Sequence, residues 1–213
     1  MNKYFYSIVF SLLIVNAKAS KTDSLGHSSK LFVNIGINQS NLQSHDLYSQ
    51  SITGLEMGAN VLTHWQNNWY SEIGLQYIRK GSAREVDFVN IVNDKVGSYT
   101  ENIYLHYVQL PILLKKHLAI HKNVSITLGA GIYNALLFSA WLNPQYTYLS
   151  HEQAKNYNTY DVGFIGSFGI MYKDKIGLQA RYEQGLLNVS KANGGINNTF
   201  ALGLYLKVAN LGF

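Results

Sequence analysis

The stretch YLHYVQLPILLKKHLAIHKNVSITLGAGIYNALLF, residues 104–138, decides the fold. In its second half, one parity carries apolar side chains and the other carries small or polar ones. The apolar set is Val124, Ile126, Leu128, Ala130 and Ile132. Successive side chains of a β-strand point to opposite faces, so this segment predicts a strand with one apolar face. A short polar connector at 117–123 precedes it, which predicts an antiparallel hairpin.

The same alternation recurs along the chain and predicts eight strands. They cover residues 31–40, 55–65, 69–81, 104–116, 124–138, 161–170, 176–183 and 200–208. The connections alternate between long and short, and the long ones lie near 39–52, 81–102, 140–159 and 184–197. Within the second, residues 85–92 could extend a strand above the membrane. Polar residues at 66–68 and 173–175 predict tight turns. Bacterial outer-membrane barrels have even strand numbers, short periplasmic turns and long extracellular loops. The pattern therefore predicts an all-β, eight-stranded antiparallel up-and-down transmembrane β-barrel, with the four long segments outside.

Composition agrees with a protein that contacts lipid. The chain is 47% hydrophobic but only 14% charged, whereas about a quarter of a soluble domain is charged. Mean hydropathy is nevertheless near zero, as alternating strands produce. The absence of cysteine excludes a disulfide framework, a zinc-thiolate site and a cysteine nucleophile. We expect no cofactor, and the formal charge of +5 is too small to predict nucleic-acid binding.

The first residues have the features of a signal peptide. Lys3 precedes an uncharged apolar segment at 4–15, and Ala17-Lys18-Ala19 fits the small-x-small cleavage rule. The apolar segment is too short to span a bilayer as a permanent helix. We therefore predict a signal peptide at 1–19 and one outer-membrane barrel domain at 20–213. Two other folds remain possible at this point: an exported β-sandwich, and a transmembrane helix within 124–142.

The polar parity of the strands predicts a network inside the barrel. Its candidate members are Glu56, Glu72, Gln76, Gln109, Gln179, Arg181 and Glu183. Eight strands leave an interior just wide enough for side chains, and buried charges must be paired. We expect Arg181 to pair with Glu56 or Glu72 and to help fill the lumen. The alternative is a narrow polar pathway for ions or small solutes.

Aromatic residues near the strand ends predict girdles at the two membrane interfaces. The candidates are Trp65, Trp69, Tyr77, Tyr107, Trp141, Tyr172 and Phe213. A terminal aromatic such as Phe213 is also what barrel-assembly machinery commonly recognises. Pro111 has no amide donor for a closed sheet, so it predicts a bulge in the fourth strand.

Two pairs of residues have side chains that could bind a metal ion or catalyse a reaction. His117 and His121 have the i,i+4 spacing of a helical metal site, but they fall in a predicted turn without a nearby third ligand. We interpret them as solvated turn residues and predict no metal site. Ser139 and His106 could be placed as a lipid-modifying pair at the membrane edge, but nothing singles them out. We predict that the protein is not an enzyme.

Several motifs in order resemble the PorT-like outer-membrane β-barrel family, a porin-family group of Gram-negative envelope proteins. The sequence YVQLPILLK, residues 107–115, resembles that family's Y-x-E-(I/L)-P-L-L-L-K segment. YIRKG at 77–81 resembles its Y-x-x-K-G, and RYEQGL at 181–186 its R-Y-x-x-G-L. The segments at 129–131 and 161–169 resemble its A-G-x-Y and D-x-G-x-x-x-G-x-G elements. Gln109 replaces the family's usual Glu, so a role for that carboxylate does not carry over.

The resemblance spans the mature chain and implies a barrel, but most members of the family have no assigned activity. We expect a structural, surface-interaction or accessory membrane protein whose loops carry any specificity. One branch of the family implies the alternative of an accessory to a type IX secretion machine. The expected partners are outer-membrane lipid, the barrel-assembly and periplasmic chaperone machinery, and other envelope or secretion proteins.

Overall fold

The computed structural model describes residues 28–43, 50–90, 94–143, 156–191 and 194–211. The predicted signal peptide at 1–19 and Phe213 lie outside these residues. In the described part of the chain, each strand pairs antiparallel with the next and the last pairs with the first, so eight strands close into a barrel. The strands are β1 (Ser29–Gln43), β2 (Ile52–His64), β3 (Trp69–Val89), β4 (Lys95–His121), β5 (Val124–Asn143), β6 (Tyr160–Tyr172), β7 (Ile176–Ser190) and β8 (Gly194–Leu211). The predicted fold class is confirmed.

The alternation in the sequence corresponds to the two faces of the wall. In β5, Leu128 and Ile132 are 45% and 43% exposed on the outside, whereas Thr127 and Tyr133 are buried inside. The same rule holds in β1, where Ile35 faces outward and Asn34 inward. An apolar outer surface and a polar interior are what a barrel in a bilayer requires.

Three short turns join strands at one end of the barrel. Asn67 and Asn68 between β2 and β3, and Lys173 and Asp174 between β6 and β7, all have positive φ angles near 50–62°. Positive φ at both central residues gives a turn whose twist matches that of the flanking strands, and Asn and Asp tolerate this conformation well. Because short turns are periplasmic in outer-membrane barrels, this end is assigned to the periplasm.

The structure corrects the lengths of several predicted elements. Most of the segment 81–102 is not a loop, because β3 runs to Val89 and β4 starts at Lys95. Likewise, β7 and β8 extend through most of the predicted loop at 184–197. The β3–β4 extension is largely polar and pairs as a hairpin, whereas β7 carries Leu186 and Leu187 and its register with β8 shifts between Gln184 and Asn188. Polarity was therefore a poor guide to where these strands end, since backbone pairing does not require apolar side chains.

The prediction of a bulge at Pro111 is wrong. The β3–β4 register is the same on both sides of it, with Ile73 opposite Ile112 and Gln76 opposite Gln109. Pairing between these two points is interrupted at two positions, where Gly74 and Leu75 lie across from Pro111 and Leu110. The sheet thus tolerates the missing amide by losing local pairing without changing register. A bulge is instead found between His106 and Tyr107 on β4, opposite residues 137–139 of β5.

Candidate functional site

The lumen is the part of the barrel where polar and charged side chains converge. All seven predicted lumen residues are buried there, with exposed fractions of 6% or less. They are Glu56, Glu72, Gln76, Gln109, Gln179, Arg181 and Glu183. They come from β2, β3, β4 and β7, so the network joins opposite walls of the barrel.

Arg181 is at the centre of this network. Its guanidinium donates to Glu56 Oε2 at 2.6 Å and to Gln76 Oε1 at 2.8 Å. Its Nε lies 3.1 Å from Glu183 Oε1, which also accepts a hydrogen bond from Gln109 at 2.8 Å. Arg181 therefore bridges β7 to β2 and β3 across the lumen. The planar guanidinium suits this task because it presents several donors in fixed directions.

A second layer lies on the extracellular side of Arg181 and is built around Lys80. Its Nζ is 2.9 Å from Glu183 Oε2 and 3.8 Å from Asp161 Oδ2. The ammonium also lies 4.0 Å from the centre of the Tyr133 ring, whose hydroxyl donates to Asp161 at 3.0 Å. Asn197 completes the layer by donating to Asp161 at 2.8 Å. Glu183 is shared, so the two layers form one continuous network.

A third ion pair lies on the periplasmic side. Lys115 donates to Glu72 at 2.5 Å, and its ammonium is 5.3 Å from the Tyr205 ring. Glu72 was one of two expected partners of Arg181, but its closest cation is Lys115 on the neighbouring strand. Of the two expected partners, Glu56 is the one bonded to Arg181.

Apolar clusters close the network from both ends. The extracellular cluster includes Leu42, Leu105 and Val189, all buried inside the barrel. The periplasmic cluster is Phe32, Leu62, Tyr70, Met171 and Tyr205. A small recess opens among the periplasmic residues and is lined by Gln179, Lys115 and His117. Low-dielectric material above and below strengthens the ion pairs between them.

Four members of the network are not among the residues predicted from the sequence: Lys80, Lys115, Asp161 and Asn197. Lys80 follows Gln76 at even spacing within the strand predicted at 69–81, so the alternation places it on the inward face. Asp161 and Lys115 also share the inward parity of their strands. The available signal for these three residues was therefore parity within the predicted strands, whereas Asn197 lies in a segment that was predicted to be a loop.

The predicted interface aromatics fall into three groups. Trp65, Trp69 and Tyr172 lie at the periplasmic turns, with 54%, 41% and 48% of their surfaces exposed. Trp141 is 59% exposed toward the other end, and Tyr77 lies on the outer wall within 2.8 Å of His106 Nδ1. The prediction for Tyr107 is wrong: it is fully buried in the lumen, where its hydroxyl accepts from Asn197 at 3.3 Å. Tyr107 has the same parity as Gln109, and this parity decides its direction despite its position near a predicted strand end.

The residues considered as metal ligands or as a lipid-modifying pair make other contacts in the structure. The prediction that His117 is a solvated turn residue is wrong, because β4 continues to His121 and buries His117 against the Tyr70 ring at 4.0 Å. Among the described residues, no group of three or more His, Cys, Asp or Glu side chains is placed to hold a metal ion. Ser139 lies opposite His106 across the β4–β5 pair, but its hydroxyl accepts from the Trp141 indole.

The chain is similar to known proteins both in sequence family and in fold. A family model described as "Outer membrane protein beta-barrel domain" matches residues 19–191. The fold resembles Neisserial surface protein A, with a TM-score of 0.50, 12% identity, and coverage of 84% of this chain and 99% of that one. Ail of Yersinia pestis matches at 0.41 and 16% identity, covering 86% and 99% of the two chains. OprG of Pseudomonas aeruginosa matches at 0.42 and 12%, covering 87% and 96%.

No curated protein matches the sequence. No helix in the described ranges is long and apolar enough to cross a membrane. At 12% identity, the likeness to Neisserial surface protein A concerns the fold alone.

Proposed function

This chain belongs to the family of outer membrane protein beta-barrel domains, and on that premise we propose that it is a sealed membrane anchor for an extracellular interaction surface. Its location is the outer membrane. The single observation that carries the proposal is the charged network that crosses the lumen. A barrel with such an interior has its accessible surface outside the wall, in the segments that extend beyond the membrane.

The charge network favours a sealed barrel over a narrow pore. Arg181 contacts Glu56, Gln76 and Glu183 from three strands, and Lys80 fills the layer above it. An ion crossing this region would have to displace buried charge pairs, each of which costs several kcal/mol to separate. The apolar clusters at both ends add dry barriers.

The β3–β4 hairpin is the most prominent candidate for the interaction surface. A strand rises about 3.3 Å per residue, so residues 81–89 of β3 add roughly 30 Å of strand length. The extension carries its own ion pairs: Arg84 with Glu101, and Lys95 with Asp87 at 2.6 Å. The hydrogen bond to Asp87 raises the pKa of Lys95, which stays charged at neutral pH. These pairs support an ordered hairpin outside the membrane.

Planar-bilayer recording tests the seal. The purified chain should insert without discrete conductance steps, because the buried and paired side chains of Arg181 and Lys80 fill the lumen at these two layers. A positive control is the double variant Arg181→Ser/Lys80→Ser, whose shortened side chains should permit current if the variant inserts. Regular conductance steps from the unaltered protein would refute the sealed-anchor proposal and favour the pore.

Shortening the hairpin tests whether it is free for interaction. Replacing residues 85–100 with Asn-Gly should leave a heat-modifiable barrel in the outer membrane, since the deleted part pairs mainly within itself. A matched control replaces Asn67-Asn68 with Asn-Gly at the periplasmic side. Loss of assembly only on hairpin removal would assign the hairpin a folding role and count against the interaction surface.

A further inference from the structure

The periplasmic end of the barrel has a strong excess of positive charge. We define the periplasmic rim as residues 28–30, 64–69, 116–124, 172–176 and 207–211, all within the described ranges. Asp174 is the only acidic residue in these segments, against six lysines. The lysines are Lys30, Lys116, Lys122, Lys173, Lys175 and Lys207. The formal charge of the rim is therefore +5.

The rim lysines form a connected arc. The Lys173 amide donates to the Asn123 carbonyl at 2.7 Å, which places the second and third turns side by side. The Lys207 amide donates to the Lys175 carbonyl at 2.7 Å, which joins the third turn to the end of β8. Four of the six lysines therefore follow one another along neighbouring elements. Their positive charges together attract anionic groups that approach the periplasmic end of the barrel.

Two rim lysines are paired with aromatic side chains on the outer wall. Lys116 Nζ lies 4.9 Å from the Trp69 ring centre and donates to the Asn67 carbonyl at 2.5 Å. Lys173 Nζ lies 5.2 Å from the Tyr172 ring centre. Exposed Trp and Tyr side chains of a barrel lie at the level of the lipid headgroups. These ammonium groups are therefore held at the depth where lipid phosphates lie.

The rim has little internal neutralisation. Lys30 is paired with Asp174 at 3.1 Å, which uses the one carboxylate of the rim. At the opposite end, the β3–β4 extension has Arg84 and Lys95 in ion pairs with acidic neighbours. The charge asymmetry is thus a property of the periplasmic side, where the rim segments contain no second carboxylate to neutralise the remaining lysines.

We infer that the periplasmic rim is a binding site for the phosphate headgroups of anionic glycerophospholipids in the periplasmic leaflet, held by Lys116, Lys173 and the lysines beside them. The aromatic partners lie against the acyl boundary, and the ammonium groups reach the phosphates. Each lysine near such a surface contributes about a fivefold preference. The rim thereby selects the lipids around the barrel.

Tryptophan quenching by brominated lipids can test the selection at each end separately. The chain has three tryptophans, of which Trp65 and Trp69 are at the rim and Trp141 is toward the other end. The Trp141→Phe variant keeps only Trp65 and Trp69, which report on lipid at the rim. The Trp65→Phe/Trp69→Phe variant keeps only Trp141, which reports on lipid at the opposite end. Each protein is reconstituted in phosphatidylcholine bilayers that contain brominated phosphatidylglycerol or, in parallel, brominated phosphatidylcholine at the same fraction.

The rim reporters should be quenched more strongly by brominated phosphatidylglycerol, and Trp141 should not distinguish the two lipids. In the Trp141→Phe background, Lys116→Gln should weaken the preference about fivefold, and Lys173→Gln/Lys175→Gln/Lys207→Gln should weaken it further. Lys95→Gln, on the extracellular hairpin, is the matched control and should leave it unchanged. In about 1 M salt, where screening acts over roughly 3 Å, the preference should vanish.

Equal quenching of the rim reporters by both lipids at low salt would overturn the inference. Equal preference at both ends would also overturn it, as would a preference that persists in the folded lysine variants. If the lysine variants lack a heat-modifiable band, they have not folded and cannot be used. The test is then the quenching of Trp141→Phe at low and at 1 M salt: a preference for phosphatidylglycerol that survives 1 M salt refutes electrostatic selection.

Discussion

Arg181 is a buried charge whose contribution to the stability of the barrel depends on its neighbours. The side chain is 3% exposed and contacts three polar partners on three strands. A buried charge that loses its partner is far more costly than an exposed one, because water cannot replace the lost contact. Arg181 and its acidic neighbours therefore stabilise the barrel only as a set.

Arg181→Met should lower the free energy of unfolding by about 3–5 kcal/mol, since Glu56 and Glu183 would lose their shared cation. Urea unfolding in lipid vesicles, followed by tryptophan fluorescence, measures the change. Adding Glu56→Gln to Arg181→Met should recover part of the loss. Lys95→Met, whose ion pairs are exposed, should unfold at the wild-type urea concentration. Similar midpoints for Arg181→Met and Lys95→Met would contradict the importance of the network.

Small residues inside the wall make room for the charged ones. A Cβ added at Gly36 would lie 2.6 Å from the Leu202 carbonyl oxygen and 3.0 Å from Glu56 Oε1. Gly166, on the outward face of β6, has open space at the same position. Packing therefore requires glycine at position 36 but not at position 166.

Gly36→Ala should destabilise the barrel by about 1–3 kcal/mol, because the methyl group forces the β1–β8 backbone and Glu56 to shift. Gly166→Ala should be neutral or slightly stabilising, since it meets nothing and restricts the unfolded chain. The two variants can be compared by urea unfolding in the same vesicles. Equal destabilisation would show that the crowding at Gly36 has no energetic consequence.

At the scale of the strands, depth in the bilayer should decide the cost of a charge on the outer wall. Ile132 is outward on β5, between Ile112 on β4 and Phe164 on β6, inside the apolar band. Ile120 is also outward, but it lies at the periplasmic end of β4, beyond Lys116. Both side chains are exposed to the surroundings of the barrel, at 43% and 63%.

Ile132→Arg should cost about 2–4 kcal/mol, and Ile120→Arg about 0–1 kcal/mol, because arginine near the interface reaches water. Unfolding in bilayers of two thicknesses checks the assignment: the cost at 132 should rise in the thicker bilayer more than the cost at 120. The same cost at both positions, regardless of thickness, would be inconsistent with the proposed position of the apolar band.

At the scale of the whole molecule, strand closure and turn lengths give the barrel two different ends. The three short turns carry the lysine-rich rim, whereas β3 and β4 extend past the apolar wall on the other side. We propose that function is divided accordingly: the rim would bind lipid on the periplasmic side, the β3–β4 hairpin would present an interaction surface outside the cell, and the lumen between them would be sealed.

The absence of cysteine allows a direct test of this orientation. Lys95→Cys should react with a membrane-impermeant maleimide on intact cells, because the hairpin is extracellular. Lys173→Cys, in a periplasmic turn, should react only after the outer membrane is permeabilised. Labelling of Lys173→Cys on intact cells, with Lys95→Cys protected, would invert the assigned topology.

The sequence by itself determined the repeating element of this protein. Period-two alternation is a local property, so residues such as Leu128 and Thr127 could be assigned to opposite faces without knowledge of any neighbour. The polar turns at Asn67-Asn68 and 173–175 were equally local, and together these signals predicted eight antiparallel strands. The inward parity of Glu56 and Arg181 was available by the same rule.

Only the tertiary structure decided which charges meet and where the strands end. Glu72 pairs with Lys115 and Arg181 with Glu56 because ring closure and register set the heights of these side chains, and both are non-local. Tyr107 points inward because it shares the parity of Gln109 on β4, although its position near a predicted strand end suggested an interface. The polar extensions of β3 and β4 form because backbone hydrogen bonds pair them, and alternation of apolar side chains gives no signal for that pairing.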